Sequence, residues 1–275
     1  MNKRQFFYLE KICKLVRQTG VKNIYVFVDK VDEDPRFQND AESISAFLRG
    51  MASDNKILTS DLFHTVLFMW RTPYNYIRDS VRTQKVMCEF ISWDRRDLEG
   101  VLKQRIKVHT SKLYQGEVDL LEECSEESRN LIFSMCNKNP RDLWHLLNFA
   151  LREQFRLDEN SKISDDAISS AVKRFVAEFN YFEYYPRRSN ARSNTMDIYK
   201  YIKHLLKLDT VKFTKDKLST MAGTGGATNN YVVAMENMGL IANSNEKAQG
   251  GAVVYQIQDP KVCYALENGL AIAEK

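Results

Sequence analysis

Apolar positions along the chain follow two rhythms. Over residues 4–18, Phe6, Leu9, Ile12, Cys13, Leu15 and Val16 recur at helical spacing with charges between them, and Gly20 stands where a helix end favours glycine. Asn23-Ile24-Tyr25-Val26-Phe27-Val28 follows as a continuous run of β-branched and aromatic residues, apolar on both faces. Such a run predicts a central parallel strand covered by helices on each side. Further along, the pattern predicts a helix over 41–51, a second buried strand over 62–70, a short helix over 73–79, a third strand over 85–91 and a strong helix over 94–108. Strands alternating with helices imply βαβ units, and therefore an α/β domain.

Near residue 117 the strand rhythm stops, and every periodic segment up to residue 180 is helical. Ser125 precedes a helix through Leu131, Ile132 and Phe133, although its capping box is imperfect. Asn139-Pro140 places asparagine at an N-cap and proline at the first helical position, and Ser164 caps a third helix. These make a small bundle. The stretch from Tyr184 to Asn194 is polar, basic and proline-containing, as linkers tend to be. Beyond it the order is helix (197–208), short strand (211–213), helix (215–222) capped by Thr214, glycine-rich turn, helix (228–238) and a two-stranded hairpin. That is the order of a winged helix-turn-helix. Three domains are expected, over 1–112, 113–183 and 195–275.

Composition narrows this picture without redirecting it. The 275 residues are 44% hydrophobic and 28% charged, as in a well-packed globular chain, and no apolar run approaches the roughly 18 residues of a membrane helix. The opening Met1-Asn2-Lys3-Arg4-Gln5, leading into a mixed polar and aromatic segment, does not read as a secretory signal, and none is expected. A net charge of +4 neither demands nor excludes nucleic acid. The five cysteines, Cys13, Cys88, Cys124, Cys136 and Cys263, are scattered, with no C-x-x-C pair and no histidine at zinc-ligand spacing. An odd count of isolated cysteines fits a reducing compartment, so a cytoplasmic location and no membrane partner are expected.

The sharpest local chemistry is the end of the first strand, Val28-Asp29-Lys30-Val31-Asp32-Glu33. A carboxylate on a rigid strand end is what a P-loop NTPase uses to hold Mg²⁺ at a fixed distance from the β and γ phosphates. Asp29 is the natural magnesium carboxylate, and Glu33, or Asp32, would orient the attacking water. The plain alternative is that any buried strand ends in polar loop residues. In context, the chain resembles the AAA+/STAND-type ATPases. Residues 24–33 look like their Walker B strand, Val66-Leu67-Phe68-Met69-Trp70-Arg71 like the following sensor strand, and Glu89-Phe90-Ile91-Ser92-Trp93 like the segment that closes their core. Asn139-Pro140-Arg141-Asp142-Leu143 is similar to the sensor 2 motif of a lid helix. The resemblance implies that Arg141, together with Arg71, contacts nucleotide phosphates, with ATP and Mg²⁺ as cofactors of the complete assembly. Its fold expectation is an incomplete P-loop core with a parallel sheet, a helical lid and a C-terminal winged helix.

One departure outweighs the matches: the sequence holds no G-x-x-x-x-G-K-[ST]. A phosphate cradle needs converging backbone N–H groups and a lysine, and Gly223-Thr224-Gly225-Gly226 has no lysine–hydroxyl pair after it. The expectation is the C-terminal part of a nucleotide-driven switch, in DNA-linked or defence processes, unable to hydrolyse ATP alone. It would work as a homo-oligomer or with a separate chain carrying the phosphate loop. The alternative is a nucleotide-independent winged-helix DNA-binding or adaptor protein. For that reading Asn229, Asn230 and Tyr231 stand at the leading end of the recognition helix, and Lys212, Lys215, Lys217 and the wing residue Lys247 offer phosphate contacts. Arg187, Arg188 and Arg192 add a basic linker with Tyr184 and Tyr185 beside it. The electrostatic footprint is thin: residues 195–275 carry nine basic and eight acidic side chains, net +1.

Overall fold

The computed structural model describes residues 3–110, 118–159, 161–186 and 196–275. It is mixed α/β, mostly helical, and divides into two compact units: Met1–Glu89 with Tyr181–Ile198, and Phe90–Asn180 with Tyr199–Lys275. Among the described residues no helix is long and apolar enough to cross a membrane.

In the first unit α1 (Lys3–Gln18) ends at Gly20, whose φ of +91° suits glycine alone. Its inner side buries Cys13 and sets Phe6 edge-on to Phe63. β1 (Tyr25–Val28) pairs in parallel with β2 (His64–Leu67), in the register Tyr25↔His64 to Val28↔Leu67. A parallel pair needs a crossover, and α2 (Ala41–Ala52) and α3 (Asn55–Leu58) lie between the two strands. Asp40 and Asp54 cap these helices, accepting from the Ser43 and Lys56 amides. The helix after β2 is α4 (Arg71–Ile77). Ile44, Leu48, Ile57, Phe63 and Ile77 form the core of this unit.

The strands correct the sequence expectation in three places. β1 is not covered on both faces: Tyr25 and Phe27 are exposed, Phe27 at 63%, and they stack on each other and on His64 and Phe68. β2 spans four residues, and Trp70 is already the N-cap of α4. The third strand expected over 85–91 is not formed; residues 87–94 have no regular structure, and Met87, Phe90 and Ile91 are exposed. A β-rich run becomes a strand only where another edge pairs with it, and the described sheet here has two strands.

The second unit begins with α5 (Arg95–Thr110) and continues with the bundle, α6 (Glu126–Met135), α7 (Pro140–Leu157) and α8 (Asp165–Glu178). Local chemistry sets each start. Ser125 accepts from the Ser128 amide, Asn139 from Arg141 with Pro140 at the first position, and Ser164 from Ala167. Ile132, Leu143, Leu146, Leu147, Ile168, Val172 and Val176 fill the centre.

From Tyr199 the same unit holds the segment expected to be a winged helix: α9 (Ile198–Leu205), β3 (Lys212–Thr214), α10 (Lys215–Ala222), α11 (Thr228–Asn237), β4 (Ile241–Lys247) and β5 (Val253–Ile257). Its antiparallel sheet runs β3-β5-β4. Thr214 caps α10 through the Lys217 amide, and Gly223 ends that helix at φ +68°. A further helix, α12 (Pro260–Glu267), follows the wing and is capped by Asp259.

Candidate functional site

Two regions carry the residues singled out from the sequence. The first is the carboxyl end of the parallel pair. Because β1 and β2 run the same way in register, Asp29, one residue past β1, and Arg71, four past β2, both follow carboxyl ends of strands, the edge where open α/β sheets place ligands. There Asp29 Oδ1 accepts the Lys30 amide at 2.8 Å, with Lys30 held in the left-handed region at φ +59°. Lys30 Nζ reaches Glu33 Oε2 at 3.0 Å, an exposed pair that contributes little to stability. Asp32 is half-buried, and Arg71 opens α4 with its side chain exposed. The fourth carboxylate, Asp34, is gripped by the Arg36 guanidinium through Nε (3.0 Å) and Nη2 (2.6 Å), which holds its carboxyl at about 2. Asp29, Glu33 and Asp34 are therefore held by three different groups, the Lys30 amide, the Lys30 ammonium and the Arg36 guanidinium. Among the described residues no group of three or more His, Cys, Asp or Glu side chains is placed to hold a metal. A single strand-end carboxylate such as Asp29 is a hard oxygen donor of the kind a bound Mg²⁺ would use.

Arg141 lies in the second unit, at the second position of α7, with an exposed side chain and its amide donating to Asn139 Oδ1 at 2.8 Å.

The second region is the winged helix. Asn229 and Asn230 are exposed in the first turn of α11. Tyr231 is not: it stacks on His204, centroids 5.5 Å apart, and meets Tyr201 edge-on at 5.7 Å, so it packs α11 against α9. Lys212 is exposed, Lys215 and Lys217 are half-buried, and all three are engaged. Lys212 pairs with Glu246 at 2.6 Å, Lys215 donates to Asn229 Oδ1 at 2.7 Å, and Lys217 pairs with Asp209 and donates to Thr210 at 3.2 Å. Lys247 is exposed at the end of β4. Lys212 and Lys217 are thus partly neutralised by carboxylates before any phosphate arrives, whereas Lys215 meets an uncharged amide and keeps its full charge; pairs at the surface exchange cheaply. Arg187, Arg188 and Arg192 lie outside the described residues.

Sequence periodicity missed a group that the fold assembles. Asp142, in the first turn of α7, is fully buried, as are Asp259 and Lys261 at the start of α12. Lys261 Nζ lies 3.2 Å from Asp142 Oδ2 and 3.7 Å from Asp259 Oδ1. The sequence signal available was Asp259-Pro260, the same cap-then-proline pattern as Asn139-Pro140. Burial pushes the Cys124 thiol up to about 11 and that of the half-buried Cys263 to about 12, and raises Cys136 as well, which keeps these sulfurs in the protonated, less nucleophilic form.

No protein-family model matches the chain, and no curated protein matches it. Among solved structures, the chain is similar to the Aeropyrum pernix Orc1 protein in complex with DNA. The identity is 13% and the TM-score 0.38, over 94% of this chain and 67% of that one, a likeness too distant to carry an argument about fold or site.

Proposed function

We propose that the chain is the C-terminal, switch-and-output part of an AAA+/STAND-like ATPase, acting with a phosphate loop supplied from outside these 275 residues. The observation that carries this reading is the parallel β1–β2 pair, with Asp29, Asp32 and Glu33 following the carboxyl end of β1. The order of elements supports it: parallel strands, then a three-helix bundle opening at Asn139-Pro140-Arg141, then a winged helix. In this reading Asp29 supplies a carboxylate to Mg²⁺, Glu33 or Asp32 orients water, and Arg71 and Arg141 contact ATP phosphates. Glu33 must first leave Lys30, a small cost for an exposed pair. The chain by itself neither binds Mg-ATP nor turns it over, since no glycine-lysine loop cradles the phosphates. Titration of the purified chain with a fluorescent ATP analogue tests this, alone and with a polypeptide carrying the loop. Binding is expected only in the mixture and is lost in Asp29→Ala; turnover by the chain alone would overturn the proposal.

A second reading is favoured by one contrast: the winged helix has its full sheet and a buried core, whereas the described parallel sheet has two strands. It makes the chain a nucleotide-independent DNA-binding protein, with Asn229 and Asn230 toward bases and Lys215, Lys217 and Lys247 toward phosphates. Anisotropy of labelled duplex DNA should then show an affinity that falls steeply with salt. Lys215→Gln with Lys217→Gln should flatten that slope by about two charges' worth. No binding at low salt sinks the reading.

A further inference from the structure

Within the second unit the bundle and the winged-helix segment meet through charge that water does not reach. Asp142 belongs to the first turn of α7, Asp259 is the N-cap of α12 and Lys261 is its second residue; all three side chains are fully buried. Two carboxylates face one ammonium, an imbalance that the positive ends of two helices offset, since each carboxylate sits at a helix N-terminus. Lys261 is placed against the dipole of its own helix. What holds it there is the pair of carboxylates and the ring of Phe179, 4.3 Å from Nζ to centroid. Phe179 follows α8, so the ammonium touches three helix ends at once. A main-chain bond from the Ala273 amide to the Ala177 carbonyl, 2.9 Å, lies at the same seam. Apolar packing alone tolerates sliding, whereas a buried charge is stable in one register only, because displacement leaves it unpaired.

We infer that the Asp142–Lys261–Asp259 cluster is a clasp that makes bundle and winged helix one body, passing displacement of the first turn of α7 to α12 and the wing. The clasp stands independently of any nucleotide reading. It also gives the residue beside Asp142, Arg141, a route by which whatever it grips could be felt at the winged helix.

Hydrogen exchange on the full chain tests the clasp, with Lys261→Met as the first variant. The amides of α12 and of the first turns of α7 are expected to lose protection together, by at least roughly tenfold. Loss confined to α12, with α7 unchanged, would overturn the inference. If Lys261→Met does not fold, Asp259→Asn replaces it: asparagine keeps the cap and removes one carboxylate, so a smaller loss is expected at both helices. Asp142→Asn combined with Lys261→Met should change the thermal midpoint by less than the two single changes together, and strict additivity would also refute the clasp.

Discussion

His204 has one ring nitrogen satisfied and the other stranded. The ring donates to the Ala222 backbone and stacks on Tyr231, while its buried Nδ1 has no partner among the described residues. A neutral imidazole tolerates that, because a bare Nδ1 is only an unused acceptor; an imidazolium would bury a donor with nothing to receive it. Burial, and then the Lys207 charge, push its pKa below the ordinary 6.5. Since the folded pKa is depressed, the unfolded chain binds the proton more readily. Stability from this site is therefore full above about pH 6.5 and declines as pH falls through and below that value. Because the ring is partly exposed, solvent screens the effect, and a modestly lower Tm is expected at pH 5 than at pH 7. Circular-dichroism melts of wild type and His204→Phe at both pH values check it, with a smaller pH dependence expected in the variant. An unchanged dependence would show that His204 is not the group responsible.

At the scale of elements, what could be read from the sequence is what local chemistry decides. Asn139-Pro140, Ser164 and Thr214 start their helices where cap chemistry predicts, because a side-chain oxygen that satisfies a stranded amide acts within three residues. The wing is legible for the same reason, through glycines at Gly250 and Gly251 whose φ values of +88° and +81° make the turn. Strands are less so. Residues 85–91 carry a strand-like pattern, but pairing needs an edge from elsewhere in the fold. Tyr25 and Phe27 look like core and lie exposed for a similar reason. At the candidate sites, Asp29 was readable as a strand end, whereas the Asp34–Arg36 grip and the lysine pairs of the winged helix were not. The clasp is the extreme case: Asp142 and Lys261 are 119 residues apart, and nothing in either local segment announces the other. The helix α12 was announced, by Asp259-Pro260, but eight residues give too little periodicity to confirm it.

At the scale of the molecule, apolar exposure is unevenly distributed. In the first unit, α1 turns Phe7, Tyr8, Ile12 and Leu15 outward, and β1 and the end of β2 present Tyr25, Phe27 and Phe68. Single exposed apolar residues are ordinary, but ring-to-ring contacts from Tyr25 through Phe27 to Phe68 make a continuous aromatic strip on one face of a two-stranded sheet. Such a strip loses free energy to water at about 25 cal/mol per Å² left uncovered. The chain on its own is therefore expected to associate as concentration rises. Phe27→Glu should lower the mean mass seen by light scattering at about 100 μM, where apolar contacts of this size become populated. Its side chain is outside the core, so the change should leave the melting of the second unit, with its buried clasp, within about 1 °C of wild type. A wild-type chain that stays monomeric at that concentration would mean the strip is not sticky enough to matter. A Phe27→Glu chain that associates as before would place the adhesive surface elsewhere, with the outward face of α1 next to be tested through Leu15→Glu.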